Sequence, residues 1–488
     1  MERVHAKLKM KAAILLSLLL ATTIAALSTI RPSLSNPTTL LVPSQYSTIQ
    51  AALVAASSGD TIIVSSGIYN ETNLVITQNG LTLQGQDKTN TIIDGQNSNK
   101  NITVVKANNA MIRGFTIRKA GTEYGAFGVY VYSSNNTVLK DIVFSNCTFS
   151  VRAEKSFNVT VASSSFFGDS GNMASAGVYA LNSQRGLVVN STFNANHVGV
   201  FLRNSTGFTV RNNNFSSSIY LGVDVAYSTQ NLVVKNTFRN NNSSIEIKYY
   251  GDNEVIGNSI SDSQTAGLIM SSQPNSTNNV IHHNNFINNT QQVKFVSSPL
   301  ANIWDLASGQ IAEGNYWSDY KSTDFDRNGI GDTAYTIATG NQDSYPLTGP
   351  FTEFTVTSQT GTYNVYTISN STITDFSFDK TAKHFSFNVS DASGTLGVCR
   401  IVFPWALLSQ PYTVYINGIS QFPNPIYNST HAALYFSYTH SSQPSDVIIV
   451  PEFPAVLMVA FLLILTYLAA ILKKKTGRFS DKATVNLN

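Results

Sequence analysis

The chain has 488 residues, of which 12% are charged and 42% are hydrophobic, and its formal net charge at pH 7 is +3. This length predicts two or three domains, and the hydrophobic content is high enough to form a core, which excludes a disordered polar chain. The positive charge comes from the two ends, and the segment between them is net negative. Such a distribution does not fit a nucleic-acid-binding surface, so we expect no nucleic acid as a partner.

The two ends of the chain carry export and membrane signals. Residues 1–30 begin with a basic stretch and continue with an apolar run, Ala12–Leu27. This order is typical of a secretory signal peptide, and an uncleaved signal anchor is the alternative. Near the other end, the apolar run Ala455–Leu472 contains no charge and is followed by three lysines. Its length of about 18 residues is enough to cross a bilayer as a helix.

The positive-inside rule orients these two segments. Because basic residues flank both, we expect the tail 473–488 in the cytoplasm and the long middle segment outside the cell. We therefore predict an extracellular or cell-surface protein, held in the membrane by a single-pass anchor at 451–472. Asn-x-Ser/Thr sequons such as Asn70 and Asn388 fit an exported glycoprotein.

Self-similarity dominates the middle of the chain. Short β-branched runs alternate with turns rich in Asn, Ser and Gly, and an apolar anchor recurs every 22 to 27 residues. This period is that of one coil of a parallel β-helix; a leucine-rich repeat is excluded because its consensus and its helical segment are missing. The anchors are Ile117, Phe144, Phe166, Phe193, Phe215, Phe238, Ile260 and Phe286. We predict that they stack inside the coils, with Asn above Asn at turns, where Asn tolerates left-handed backbone.

The predicted β-helix spans 38–300 and begins with a cap. The stretch Ser47–Ile76 is typical of a short amphipathic helix, a Gly-Asp turn and a strand. Because the first coil of a β-helix leaves unpaired strand edges, we expect this helix to cover them. Residues 301–350 are assigned to the opposite end of the β-helix.

Several motifs make a family resemblance specific. The T-I-Q-A-A opening, the GDTIIV, LTLQG and TIIDG runs and the GNYWSDY segment are similar to NosD-type, pectin-lyase-like β-helix proteins over roughly 38–350. The resemblance implies an all-β, right-handed parallel β-helix. This fold hosts polysaccharide lyases and hydrolases, although a fold does not carry a function. The PEFP segment, with the apolar run and lysines after it, is similar to the anchoring tails of archaeal surface proteins.

NosD itself is linked to copper-site maturation of nitrous oxide reductase, so copper ligands must be considered. Copper prefers imidazole and soft sulfur ligands. The candidates are His197, His282, His283, Met173 and Met270. They are scattered without a ligand spacing, and we therefore interpret them as ordinary polar or core residues.

The repeat stops at Phe351. From there to Val450, alternating strands are separated by Ser, Asn and Gly turns, which predicts a small β-sandwich over 351–450. We expect it to be a spacer or a glycan-contacting module near the membrane. The two cysteines, Cys147 and Cys399, fall in different predicted domains, which favours two buried thiols over a disulfide.

One acidic loop, DFDRNGIGD, has the oxygen pattern of a calcium-binding loop. Hard oxygen ligands at alternate positions around a sharp Gly turn suit Ca²⁺ in a structural role, and a solvated acidic turn is the alternative. The predicted ligands are Asp324, Asp326, Asn328, the carbonyl of Ile330 and Asp332. At position 12 of the loop Tyr335 stands instead of Glu, so we expect weak affinity.

Alternation within the repeats predicts an outward-facing, exposed column of side chains. If the valines of each coil point inward, their neighbours point outward and follow one another about 4.8 Å apart. Aromatic rings beside cations and carboxylates suit a sugar chain, and an ordinary solvent-facing β surface is the alternative. The column contains Tyr130, Arg152, Tyr179, Phe201, Asp224, Glu246, Ile269 and Lys294. A neighbouring column holds Tyr132, Glu154, Leu181, Arg203 and Lys248.

Three functions are compatible with these patterns. The leading hypothesis is a cell-surface β-helix that binds a polysaccharide or surface glycoprotein without turning it over, through Tyr130, Arg152, Tyr179, Phe201, Arg203, Asp224 and Glu246. The alternative is a polysaccharide lyase or glycoside hydrolase, which requires Asp224 and Glu246 to converge with Arg203 or Lys248. The third is a NosD-like accessory protein in copper-site maturation.

Overall fold

The structure is a computed structural model and describes residues 36–123, 125–168, 175–271, 276–308, 311–321, 323–451 and 463–471. The predicted signal segment 1–30, the predicted tail 473–488 and Met173 lie outside the described residues. Of the predicted anchor 451–472, the structure describes Pro451, which ends a strand, and 463–471, which is helical. Within the described residues, no helix is both long and apolar enough to span a membrane.

The first two thirds of the chain form a parallel β-helix, which confirms the predicted fold. A typical coil contributes one strand, such as Val198–Arg203, to a ten-stranded sheet. The same coil contributes two shorter strands, Thr209–Arg211 and Asn214–Ser216, to a 20-stranded sheet. Neighbouring coils pair in parallel register, and parallel strands joined by such crossovers wind in the right-handed sense.

The two sheets of the solenoid contain most of its strands. The strands of the 20-stranded sheet are Thr39–Val42, Thr61–Val64, Gly67–Tyr69, Thr82–Gly85, Thr91–Asp94, Met111–Gly121, Val138–Cys147, Thr160–Ala162, Ser165–Phe167, Leu187–Val189, Thr192–Asn194, Thr209–Arg211, Asn214–Ser216, Leu232–Val234, Thr237–Arg239, Glu254–Ile256, Ser259–Ser261, Val280–His282, Asn285–Ile287 and Tyr316–Trp317. The strands of the ten-stranded sheet are Leu74–Ile76, Thr103–Val105, Phe127–Tyr132, Phe149–Glu154, Ala176–Leu181, Val198–Arg203, Leu221–Ala226, Ser243–Lys248, Ala266–Ser271 and Val293–Phe295. Two hairpins close the far end, at Leu306–Ser308 with Ile311–Glu313 and at Tyr335–Ala338 with Asn341–Asp343.

The predicted anchor residues form one stacked column in the core. The strand register places the phenylalanines from Phe144 to Phe238 on successive coils, and each of these side chains is fully buried. Neighbouring ring centroids lie 4.5 to 5.0 Å apart. The column extends one coil further than predicted, because Trp317 stacks on Phe286 with centroids 4.5 Å apart.

Buried asparagines form a second kind of column at the turns. The side-chain amide of Asn258 donates to a carbonyl of the preceding coil at 2.8 Å, and its oxygen accepts from the backbone N–H of Asn236 at 2.9 Å. Asp343 ends this ladder by accepting from the backbone N–H of Asn315 at 2.7 Å. The predicted stacking of Asn at turns is confirmed. In this ladder, however, left-handed backbone belongs to the preceding residue, such as Lys235 with φ 54°.

A short helix, Ile49–Ala55, covers the first coil, as predicted. The Thr48 hydroxyl caps its N-terminus by accepting from the backbone N–H of Ala51 at 3.1 Å. The Glu71 carboxylate accepts from the backbone N–H groups of Ile49 and Gln50, at 2.9 and 2.8 Å. Its negative charge also suits the positive end of the helix dipole. Leu53 is buried against the coils, so the helix closes the end of the core.

Two five-stranded antiparallel sheets follow the solenoid and pack around one apolar core, which confirms the predicted β-sandwich. One sheet contains Phe351–Thr357, Thr362–Ser369, Leu396–Pro404, His431–Thr439 and Ile426–Tyr427. The other contains Thr372–Asp379, His384–Ser390, Ser445–Pro451, Tyr412–Ile416 and Ile419–Gln421. Cys147 in the solenoid and Cys399 in the sandwich are both buried free thiols, as expected.

Buried polar contacts join the sandwich to the last coils of the solenoid. The side chain of Asn285 exchanges two hydrogen bonds with the backbone of Phe351, at 2.8 and 2.7 Å. The Arg400 guanidinium lies 2.9 Å from the Glu313 carboxylate, and both side chains are 2% exposed. These contacts hold the sandwich against the end of the solenoid.

Candidate ligand-binding face of the ten-stranded sheet

The predicted outward column follows the strand register. From coil to coil it runs through Tyr130, Arg152, Tyr179, Phe201, Asp224, Glu246, Ile269 and Lys294. Arg203 lies in the neighbouring column, two residues along the strand from Phe201. The period-2 alternation of the sequence therefore predicted the face and the order of these residues correctly.

The prediction that this column is exposed is wrong for most of its members. Five are buried, with at most 8% of their surface accessible: Arg152, Tyr179, Asp224, Glu246 and Ile269. Tyr130 and Phe201 are half-buried, whereas Lys294 and Arg203 are exposed. Alternation decides which face a side chain takes, but coils about 4.8 Å apart let large neighbours cover one another. Here an outer apolar cluster around Phe127, Phe149 and Leu221 adds to that cover.

Arg152 is the centre of an aromatic and ionic cluster on this face. Its guanidinium lies 2.7 Å from the carboxylate of Glu154, which also accepts from the hydroxyl of Tyr130 at 2.9 Å. The same guanidinium lies 5.1 to 5.8 Å from the ring centroids of Phe127, Tyr130 and Tyr179. Cation–π contacts of this kind hold the arginine in place, and they also occupy its charge.

Asp224, three coils further along, and Glu246, on the coil after it, converge on Lys248. The ammonium of Lys248 lies 3.0 Å from Asp224 Oδ2 and 2.7 Å from Glu246 Oε2. The other oxygen of Asp224, Oδ1, is buried and has no hydrogen-bond partner among the described residues. Burial raises the pKa of Asp224 to about 7, in spite of the positive charge of Lys248. The sequence analysis required the two carboxylates to converge with Arg203 or Lys248 if the protein is an enzyme. Lys248 meets that condition, and Arg203 contacts neither carboxylate.

Exposed tyrosines flank this charged cluster. Tyr220 directly precedes the strand that carries Asp224, and it is 41% exposed. Tyr227 directly follows that strand and is 39% exposed, as is Tyr250 on the next coil. Burial and the negative charge of Glu246 raise the pKa of Tyr220, so its hydroxyl lies within electrostatic reach of the cluster. The cluster therefore lies on the floor of the face, with aromatic rings at both ends of the strand.

Tyr227 and its neighbour on the next coil, Tyr249, have left-handed backbone, and the sequence analysis missed both. Tyr227 has φ 54° and Tyr249 has φ 76°, and their rings stack with centroids 4.0 Å apart. The equivalent turn position holds Asn182 and Asn204 on the two preceding coils, also with positive φ. An alignment of the repeats that includes this turn would have revealed the pair. One turn position then holds Asn182, Asn204, Tyr227 and Tyr249 on four successive coils.

The acidic loop predicted to bind calcium is closed by its own hydrogen bonds. Asp324 accepts from the backbone N–H groups of Asn328 and Gly329, both at 3.0 Å, and burial raises its pKa. Asp332 accepts from the backbone N–H of Phe325 at 2.8 Å. In the described part of the chain, no group of three or more His, Cys, Asp or Glu side chains is placed to hold a metal ion. Calcium at this loop stays a prediction.

Asp326 and Asn328 also have partners within the loop. The amide of Asn328 donates to Asp326 at 2.8 Å and its oxygen accepts from the backbone N–H of Ile330 at 2.7 Å. The guanidinium of Arg400 donates to the carbonyl of Asn328 at 2.6 Å. In this conformation the side-chain oxygens of the loop accept hydrogen bonds from the loop itself.

The structure brings two of the histidines together. The Nδ1 atoms of His282 and His283 lie 2.5 Å apart, and His283 Nε2 lies 3.0 Å from the carboxylate of Glu313. Burial lowers the pKa of His282 to about 4, so this ring is neutral at pH 7. His197 stacks on Tyr220 beside the charged cluster, and Met270 is buried in the solenoid core.

Comparison with known proteins identifies a related family for part of the chain. Residues 165–322 match the family model described as "Periplasmic copper-binding protein (NosD)", which is less than half of the chain. The probable ABC transporter binding protein NosD of Pseudomonas aeruginosa is 45% identical over 83 residues, or 17% of this chain. The chain therefore spans only 18% of the length of that relative.

Several solved structures are similar at low identity. They include the Dettilon tailspike protein, with TM-score 0.46 and 13% identity over 84% of this chain and 93% of that one. An alginate lyase from Paenibacillus sp. has TM-score 0.41 and 13% identity over 55% and 98%. The Streptococcus pneumoniae adhesin PfbA has TM-score 0.38 and 15% identity over 50% and 91%. These three likenesses are too distant to carry an argument, whereas the family match and the coils support a NosD-type parallel β-helix.

Proposed function

We propose that this protein binds a polysaccharide at the cell surface through the outer face of its ten-stranded sheet. The observation that carries the proposal is the set of exposed rings, Tyr220, Tyr227 and Tyr250, around the charged cluster of Asp224 and Lys248. Aromatic faces stack on the apolar faces of sugar rings, while charged groups bind the hydroxyls. The export signals predicted at both ends, and the periplasmic description of the matched family, support a location outside the cytoplasm.

The backbone of the tyrosine pair is left-handed, as it is at the same turn position of earlier coils. Left-handed backbone costs an ordinary L-residue roughly 1 kcal/mol, and Asn is among the few side chains that tolerate it. Tyr227 and Tyr249 stand where the two preceding coils have Asn182 and Asn204. Because Ser133 and Lys155 hold the same position with positive φ on earlier coils, the turn accepts several side chains, and the support for the proposal is that the Tyr227 ring stays at the surface and stacks on Tyr249.

The charge balance of the face favours an anionic polysaccharide. Its three carboxylates, on Glu154, Asp224 and Glu246, each contact a cation on the same face. Arg203 and Lys294 are exposed, and neither pairs with a carboxylate in the described part of the chain. They lie four coils apart, or about 19 Å at about 4.8 Å per coil, which suits a polymer more than a single sugar.

A binding assay with immobilised alginate, polygalacturonate, hyaluronan and neutral dextran tests the proposal. We expect the purified protein to bind at least one anionic polymer, with an affinity that falls as salt is added. If the protein bound none of the four polymers, the proposal would be contradicted.

The double variant Tyr227→Asn/Tyr249→Asn separates binding from folding. Asn suits the left-handed turn, so we expect the melting temperature to stay the same or rise slightly. Loss of the stacked rings should weaken binding at least about tenfold, which corresponds to about 1.4 kcal/mol. Phe167→Ala is the matched control, because Phe167 is 48% exposed on a strand of the other sheet. An equal loss of affinity in this control would contradict the proposed face.

The description of the matched family names copper binding, and His282 and His283 are the histidines that lie together. The Nδ1 atoms of His282 and His283 contact each other, and His283 Nε2 contacts Glu313. This arrangement uses both ring nitrogens of His283 within the fold. It therefore favours a structural hydrogen-bond network over a copper site, and we retain the polysaccharide as the proposed ligand.

A further inference from the structure

We propose that a cleft between the acidic loop, residues 324–332, and the β-sandwich binds a single neutral sugar unit. The cleft belongs to the sandwich end of the molecule and not to the ten-stranded sheet. The inference therefore goes beyond the proposed function, and it does not depend on whether a polysaccharide binds the candidate face.

The cleft forms where one strand edge of the sandwich is only partly covered. On its outer side the strand His431–Thr439 pairs with the short strand Ile426–Tyr427, which reaches only two of its residues. Further along this edge, the side-chain amide of Gln421 donates to the carbonyl of Ser437 at 3.0 Å. Between these two contacts, the segment 422–425 makes no backbone hydrogen bond with the strand in the described part of the chain. An open space therefore remains beside the strand.

The acidic loop turns this space into a cleft. Asp326 and Arg327 line it from the loop, and Asn424 and Tyr435 line it from the sandwich. The guanidinium of Arg400 holds the loop against the sandwich by donating to a loop carbonyl at 2.6 Å. The cleft has a volume of about 500 Å³. Small-molecule sites usually have about 300–1,000 Å³ and are common at domain interfaces, so the size suits a small ligand and not a folded partner.

Hydrogen-bonding groups without partners line the cleft. Among the described residues, the side chains of Arg327 and Asn424 and the hydroxyl of Tyr435 form no hydrogen bond. Burial raises the pKa of Tyr435 to about 12, so its hydroxyl keeps its proton and can donate. These groups supply donors, whereas Asp326 and the amide oxygen of Asn424 supply acceptors. Because a sugar hydroxyl both donates and accepts, a ligand with several hydroxyls matches both kinds of group.

The charges at the cleft favour a neutral ligand. The cation Arg327 and the anion Asp326 both line it, so their charges balance. Arg400 also lines it, but its guanidinium lies 2.9 Å from the Glu313 carboxylate. The loop adds two further carboxylates, and their negative charge disfavours a ligand that carries a carboxylate of its own.

Two exposed phenylalanines stand next to lining residues. Phe422 is 69% exposed and lies between Gln421 and Pro423, and Phe325 is 83% exposed and precedes Asp326. Neither ring belongs to an apolar cluster in the described part of the structure, so the fold does not use them. Aromatic faces pack against the apolar face of a sugar ring. An aromatic ring beside free hydrogen-bonding groups is the combination that suits a pyranose.

The test titrates the full-length protein with the methyl glycosides of glucose, galactose, mannose and glucuronic acid, followed by saturation-transfer NMR. Chelator is present throughout, so that calcium at the acidic loop does not contribute. We expect at least one neutral glycoside to bind, and the glucuronoside to bind at least about tenfold more weakly than that one, which corresponds to about 1.4 kcal/mol.

Three variants connect binding to the cleft. Phe422→Ser should weaken binding of the neutral glycoside about tenfold, because the stacking ring is lost. Tyr435→Phe and Asn424→Ala should each weaken it a few-fold, because each removes one hydrogen bond to the ligand. Phe167→Ser is the matched control, since Phe167 is an exposed ring on the solenoid, and the double variant Tyr227→Asn/Tyr249→Asn is the control for the candidate face. Both controls should bind like wild type, and circular dichroism shows that each variant is folded.

The outcomes separate this inference from the proposed function. If none of the neutral glycosides bound, or if the glucuronoside bound more tightly than all of them, the inference would be overturned. Binding that survives in all three cleft variants, or that is lost in Tyr227→Asn/Tyr249→Asn, places the sugar elsewhere and also overturns it. None of these results changes the polymer assay, in which the candidate face is tested by its own variants.

Discussion

Asp224 lies on the outer face of the ten-stranded sheet, yet only 3% of its surface is accessible. One of its oxygens contacts Lys248 and the other has no partner in the described residues. The positive charge of Lys248 favours ionisation, but the loss of hydration outweighs it and raises the pKa to about 7. Ionisation of Asp224 therefore weakens the fold as pH rises towards neutrality.

Asp224→Asn should change the pH dependence of stability in one direction. A carboxyl whose pKa rises on folding contributes stability that is complete below its unfolded pKa and is lost as pH rises through its folded pKa. With an ordinary pKa of 3.8 and a folded pKa of about 7, wild type should lose up to about 4 kcal/mol relative to the variant across that range. Urea unfolding at about pH 4 and pH 8 measures the difference. Equal differences at both pH values would show that Asp224 is not buried as described.

The asparagine ladder determines the register of the turns at the scale of elements. Each ladder residue satisfies backbone groups of the neighbouring coil that would otherwise be buried without a partner. Ladder residues such as Asn236 and Asn258 are fully or almost fully buried, so their amides are structural. Exposed asparagines outside the ladder, such as Asn194 at the end of the strand Thr192–Asn194, have no comparable task.

Asn236→Ala should therefore destabilise the solenoid strongly. The change removes the acceptor of the Asn213 backbone N–H and the donor to the Val210 carbonyl, both inside the core. Leaving such groups unpaired costs about 1–3 kcal/mol each. Asn194→Ala is the control, because its amide bonds Ser216 at the surface and surface changes cost less than about 0.5 kcal/mol. Thermal unfolding measures the melting temperatures of both variants. A lower melting temperature for Asn194→Ala than for Asn236→Ala would contradict this account.

The acidic loop allows a direct test of calcium. If Ca²⁺ binds the folded loop, a concentration one hundredfold above Kd stabilises the fold by about 2.7 kcal/mol. We expect the melting temperature to rise with Ca²⁺ and to fall with chelator in wild type and in the surface control Asp391→Asn. The variant Asp324→Asn/Asp332→Asn should not respond. A wild-type protein that does not respond would favour the solvated acidic turn.

A buried network joins solenoid and sandwich at the scale of the whole molecule. Glu313 accepts from His283 at 3.0 Å, from Tyr366 at 2.6 Å and from Arg400 at 2.9 Å. Burial raises the pKa of Glu313, but the hydrogen bond from His283 and the charge of Arg400 outweigh it and hold the pKa at about 2. Its stabilising effect is therefore complete above an ordinary carboxyl pKa and is lost as pH falls towards 2.

Glu313→Gln should loosen the sandwich from the solenoid. Arg400 is 2% exposed, and without a carboxylate partner its buried charge costs about 3–5 kcal/mol. Replacement of both partners in Glu313→Gln/Arg400→Met removes that charge and should recover most of the loss. Limited proteolysis between the solenoid and the sandwich, with calorimetry, compares the two variants. A double variant less stable than the single one would contradict the paired-charge explanation.

The sequence by itself determined the solenoid, the stacked Phe column, the capping helix, the sandwich and the order of side chains on the candidate face. These follow from local periodicity, because a two-residue alternation fixes which face a side chain takes and a recurring coil fixes what lies beside it. The tertiary structure alone decided how far each side chain is covered. It buried Asp224 and Glu246 against Lys248, and it placed Tyr227 at the rim. The burial of a side chain depends on neighbours one coil away and on the conformation of the turns, and the sequence of a single repeat specifies neither. Burial in turn decides the pKa of a carboxyl group.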